Sequence, residues 1–169
     1  LMELLQLPRG PVEWLPIFLR DGPMVEAVRE AGVNAHVVDA GRMRNLGRQV
    51  TAGGAVARLC RERRADLILS WMLTAHAVGW LAGREARVPS AWFCHDARLG
   101  SPVARLLSML APARVLACSE VTARALRARR PALPVEVVHP GVDLRHYDGS
   151  RLRPPSAMRA ALGLPTGGV

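Results

Sequence analysis

Short apolar runs alternating with stretches of helical periodicity constrain this chain more than any single residue does. Runs of four to eight residues at 12–19, 33–39, 66–71, 88–94, 115–118 and 135–138 read as strands. Between them lie segments at 23–31, 48–64, 73–84, 101–111 and 120–130 that read as helices, with a helix end at 1–7 and a short helix at 156–162. Strands separated by helices of this length are the mark of βαβ units. The fold class expected is therefore α/β, a Rossmann-like, doubly wound parallel sheet.

The punctuation supports this reading. Asp21-Gly22-Pro23 opens a helix with Pro23 near its first position, Met24, Val25 and Val28 on one face, and Gly32 as its stop. Ser119 is placed to cap the helix that follows it, and Pro112 ends the one before. Pro16 weakens the first strand. After Pro140 the pattern dissolves into a Gly/Arg/Pro stretch, so residues 1–140 are expected to form the domain and 141–169 a linker into a further one. With 50% hydrophobic and 22% charged residues the chain is neither disordered nor fibrous. Its longest uncharged run, 67–83, falls short of the ~20 apolar residues of a spanning helix and contains Ser70, Thr74 and His76.

A net charge of +9 would ordinarily point to nucleic acid or an anionic membrane. All 23 basic residues are Arg, however, and they are dispersed along the chain, so no nucleic-acid partner is expected. Arg61, Arg63 and Arg64, and likewise Arg124, Arg127, Arg129 and Arg130, fall in the last turns of predicted helices, where cations complement the helix dipole. Cys60, Cys94 and Cys118 are odd in number and lack CxxC spacing. They fit small buried side chains in a reducing compartment, so a cytoplasmic protein is expected, with peripheral contact at an anionic membrane as a further option.

Ligands of open parallel sheets bind beyond the carboxyl ends of the strands. Those positions hold Ser70 and Trp71, His95 and Asp96, Ser119 and Glu120, and His139, Gly141 and Asp143. His95, between the buried strand Trp92-Phe93-Cys94 and a loop containing Gly100, is placed to bind a ligand or to move a proton near neutral pH. Ser119 lacks the glycines of a nucleophile elbow. Cys94, His95, Cys118 and His139 lack the paired spacing of zinc ligands, so no metal site is expected. No GxGxxG or Walker loop occurs, and Gly53-Gly54 follows no strand.

The order of the segments DGPMVEAVREAGVNAHVV, ADLILSW, the strand ending in His95-Asp96, RVLACSEVTARAL, VEVVHPGVDLRHY and MRAALGLP resembles the N-terminal domain and linker of glycosyltransferase family 4, the retaining GT-B enzymes. The resemblance covers almost the whole chain, and VVHPGVDLRHY followed by LGLP is its most specific part. It implies the N-terminal half of a GT-B fold, with the first strand and its glycine-rich loop, and the C-terminal donor domain, lying outside this sequence. The implied reaction is transfer of a glycosyl unit from a nucleotide sugar to a polysaccharide, lipid or small acceptor, with retention and no obligatory metal or other cofactor.

By position the resemblance makes His95 the catalytic histidine facing the cleft, and Asp96, Ser119 and Gly141 substrate-binding residues. His139, Pro140 and Asp143 become the crossover at the hinge. A chain without the donor half is expected to be inactive by itself. Acceptor choice would lie in the loops at 41–47 and 97–102. Two alternatives carry different signatures: a GT-B sugar-nucleotide epimerase would show other acidic residues in the cleft, and a non-catalytic Rossmann-like module for an anionic surface would bind with a steep salt dependence.

Overall fold

The computed structural model describes residues 12–95, 102–142 and 153–165. The elements alternate as expected: β1 (Ile17–Phe18), α1 (Pro23–Glu30), β2 (His36–Val37), α2 (Leu46–Glu62), β3 (Ile68–Trp71), α3 (Met72–Ala86), β4 (Ser90–Cys94), α4 (Pro102–Leu107), β5 (Arg114–Ala117), α5 (Glu120–Arg129), β6 (Val135–Val137) and α6 (Pro155–Ala161). Every strand pairing is parallel. The strands form a two-stranded sheet, β1-β2, and a four-stranded sheet in the order β3-β4-β5-β6. One continuous sheet was the simpler expectation; among the described residues nothing hydrogen-bonds β1 to β3.

The differences from the sequence expectation have local causes. Pro16 cannot donate to a ladder, so β1 starts only after it, and its carbonyl instead accepts the His36 N–H at 3.0 Å. The strand expected over 33–39 shrinks correspondingly to His36–Val37. In α1 the buried stripe is Val25 and Val28, three residues apart, while Met24 turns outward at 49% exposure. Gly32 adopts φ +78°, a left-handed conformation that ends this helix with little steric cost. The helix expected over 101–111 stops at Leu107, because tight turns from Leu106 to Met109 and from Leu107 to Leu110 carry the chain to Pro112. The helix end predicted at 1–7 lies outside the described residues.

β4 is the centre of the molecule, and all five of its residues are buried. Trp92 and Cys94 join Val115 and Ala117 of β5, Val135 of β6, and Ala123 and Leu126 of α5 in one core cluster. Each large apolar side chain buried there stabilises the fold by about 1.5–3 kcal/mol. A second cluster binds the halves together: Ala52, Val56, Ala57 and Cys60 of α2 meet Val78 and Ala82 of α3, with Ile17, Leu19 and Val38 packed on from the β1-β2 side.

α2 and α3 run in the same direction. Gly53 of α2 lies under Leu81 and Val78, and further along Arg61 pairs with Glu85 at 3.4 Å. A Cβ on Gly53 would stand 2.9 Å from Leu81 Cβ, so the helices are in contact at backbone distance. Their N-termini therefore open on one rim, the carboxyl-end rim of the strands. The arginines at helix ends are used locally: Arg61 pairs with Glu85, Arg127 donates to the Val135 carbonyl at 2.7 Å, and Arg130 donates to the Met109 carbonyl.

Candidate active site

The parallel register aligns the strand ends. Trp71 lies opposite Phe93, Cys94 opposite Ala117, and Ala117 opposite Val137, so the chain leaves the sheet side by side at Trp71, His95, Cys118 and Val138. His95 leaves the central strand and is exposed. Its ring meets Phe93 edge to face at 4.5 Å between centroids and lies within 22° of parallel to Trp71 at 6.4 Å. Trp71 and Phe93 are themselves in edge contact at 5.2 Å. The imidazole thus stands on an aromatic floor that restricts its orientation while its surface is open to solvent.

The backbone at this point is tied down. The Cys118 N–H donates to the Cys94 carbonyl at 3.1 Å, and the Cys118 thiol lies 3.6 Å from the His95 carbonyl as a weak donor. Ser119 caps α5: its hydroxyl accepts the Thr122 N–H at 3.2 Å and lies 3.1 Å from the Thr122 hydroxyl. His139, Pro140 and Gly141 continue from β6 as exposed residues. A Cβ on Gly141 would meet nothing within 4 Å, so the described residues of this chain do not themselves require a glycine there. Asp96 and Asp143 lie outside the described residues.

Ser70 does not reach the rim. It is buried at 4% exposure and its hydroxyl occupies the space that a side chain on Gly79 of α3 would need. Two features escape sequence reasoning. Met72, exposed at the junction of β3 and α3, holds φ +69°, an uncommon conformation for a residue with a Cβ, and no residue type announces it. The second is an arginine-lined cavity where the chain leaves β1 and β2; its signal was the close spacing of Arg42, Arg44 and Arg48 just after a strand.

The half-buried and buried titratable groups nearby are structural. His76 of α3 is 1% exposed and stacks on Trp92 at 4.5 Å. Burial pushes its pKa down to about 4, against the opposing effect of a hydrogen bond to the Leu110 backbone. Burial likewise pushes the Cys60 thiol up, with Arg61 acting in the other direction. Among the described residues no group of three or more His, Cys, Asp or Glu side chains is gathered as metal ligands. No helix among them is long and apolar enough to cross a membrane.

A parallel α/β half with His95 exposed on an aromatic floor at its strand ends has a Rossmann-like architecture. The sequence profile of Glycosyltransferase Family 4 matches residues 15–146, and the chain belongs to that family. Its fold is similar to Anabaena HepE crystallised in complex with UDP and glucose and in complex with UDP-glucose, each with a TM-score of 0.66, 24% identity, and 88% of this chain covered. HepE in complex with UDP gives a TM-score of 0.64 at the same identity. The chain spans 42% of the length of these solved relatives, corresponding to one half of a GT-B enzyme. Among curated proteins none matches it.

Proposed function

We propose that this chain is the acceptor-side half of a glycosyltransferase that moves a glycosyl unit from a nucleotide sugar to an acceptor with retained anomeric configuration. The observation that carries the reading is the placement of His95, exposed at the carboxyl end of the central buried strand and held by Phe93 and Trp71. From there an imidazole N–H can donate to a hydroxyl of the transferring sugar and fix its orientation, and the aromatic surface beneath suits the apolar face of a pyranose. HepE, in which UDP and UDP-glucose are bound, supports a nucleotide sugar as donor. The donor is assigned to the other half of the enzyme, and Ser119, Asp96 and Gly141 to the acceptor side of the cleft, with His139, Pro140 and Asp143 at the hinge. The transfer is proposed to need no metal.

The test is release of nucleoside diphosphate from a panel of nucleotide sugars by the full-length protein. His95→Ala should lower turnover by about two powers of ten with an unchanged melting curve. An unaffected rate would reduce His95 to a structural residue and overturn the assignment. Residues 1–169 alone should release none.

A further inference from the structure

The molecule has a second built feature on the same rim, unconnected to His95. A cavity of about 650 Å³ opens where the chain leaves β1 and β2 and enters α2, lined by Arg20, Arg42, Arg44 and Arg48 together with Asp21 and Asp39. This volume lies within the ~300–1,000 Å³ range of small-molecule sites. Its two carboxylates are already engaged: Asp39 accepts the Gly41 N–H at 2.8 Å and pairs with Arg48 at 2.9 Å, and Asp21 accepts the Gly22 N–H at 3.0 Å. Among the described residues Arg20, Arg42 and Arg44 have no carboxylate partner. Four guanidiniums against two carboxylates leave two positive charges uncompensated at the cavity wall.

The loop that carries them is fixed from beneath. The buried Gln49 donates its amide to the Ala40 carbonyl at 2.8 Å, and Arg48 lies across Gly41, where a Cβ would stand 2.8 Å from Arg48 Cδ. A surplus of cationic charge, presented by planar forked donors, matches the anionic oxygens of a phosphate ester, whether monoester or diester. The positive end of α2, capped by Asn45, adds to the same field.

We propose that this cavity binds the phosphoryl group of a phosphorylated acceptor, with Arg20, Arg42 and Arg44 as its ligands and Arg48 holding the wall. The proposal rests on the acceptor-side reading given above, and it extends that reading by naming the acceptor's chemical class. Such a group comes either from a soluble sugar phosphate or from the head group of an anionic lipid.

Calorimetric titration of the full-length protein separates these. The probes are glucose 6-phosphate against glucose, and phosphatidylglycerol vesicles against phosphatidylcholine vesicles, without any nucleotide sugar. Glucose 6-phosphate or phosphatidylglycerol should bind while its uncharged or zwitterionic counterpart does not. The double variant Arg42→Gln/Arg44→Gln should weaken that binding by roughly tenfold or more, whereas Arg58→Gln/Arg63→Gln, in the last turns of α2 and at its C-cap, should leave it unchanged. Binding of the soluble probe assigns a soluble acceptor, and binding of phosphatidylglycerol alone assigns a lipid head group; both uphold a phosphoryl site. Binding of neither, or equal losses in the two double variants, overturns it. Because neither the donor nor His95 enters the measurement, a failure here leaves the transferase reading standing, and a failure of the His95 test leaves this one.

Discussion

The four-stranded sheet and the β1-β2 lobe solve the same problem with different means. In the sheet, β4 is buried along its whole length and apolar contact does the work, with Trp92 at 1% exposure between β5, α5 and the ring of His76. The lobe has strands of two residues each and a smaller apolar cluster of Val25, Val28 and Ala35, supplemented by polar ties: the Pro16 carbonyl to His36, Gln49 to Ala40, and Asp39 to Arg48. The contrast teaches that apolar packing and exposed polar side chains are allocated to different parts of the fold. Where packing is sufficient, the rim can leave a histidine exposed; where it is thin, charged side chains shape the loop.

The largest effect that would sharpen this contrast is expected at the centre of the sheet. Trp92→Ala should cost about 3–5 kcal/mol in urea unfolding, and a loss below ~1 kcal/mol would mean that the sheet is not the more strongly packed region. Next comes the acid sensitivity of His76. With its pKa at about 4 in the folded chain against 6.5 for an unperturbed histidine, the folded state binds fewer protons than the unfolded one between those values. Stability is therefore full above pH 6.5 and declines as pH falls towards 4, by about 3 kcal/mol at the limit. Denaturation of His76→Leu at pH 7.5 and 4.5 should show a smaller drop than the parent chain; equal drops would remove His76 from the account. The smallest change belongs to the lobe. Asp39 and Arg48 are each 59% exposed, so Asp39→Ala should cost no more than about 1 kcal/mol, and a loss as large as that of Trp92→Ala would break the distinction.

Much of the sheet was legible because its signals agree. A dense apolar run gives β3 and β4, Ser119 announces α5 and does cap it, and Gly32 does end α1 in the left-handed conformation. The lobe was less legible, since a proline and a two-residue ladder depend on tertiary pairing that no local pattern records. Within the site, His95 could be placed from strand-end logic together with the family resemblance. Its aromatic floor could not, because Trp71 and Phe93 lie in different strands and meet only through the register. Ser70 illustrates the opposite error: the strand end is correctly located, yet the side chain turns towards Gly79 and away from the rim. The arginine cavity was obscured by the abundance of arginine elsewhere, since what distinguishes Arg20, Arg42 and Arg44 is that the fold gathers them around one cavity.

The glycine seam between α2 and α3 has a mechanical meaning. Gly53 lets the two helices touch, and Gly83 of α3 lies so close to the chain beyond it that a Cβ would stand 2.6 Å from the Val88 carbonyl oxygen. Sliding one helix along the other would drive Leu81 into the backbone of its neighbour, so the seam resists shear as a keyed joint does. The lobe and the sheet consequently travel as a single lever arm. The span between His95 and the arginine-lined cavity is therefore set by the packing of α2 on α3.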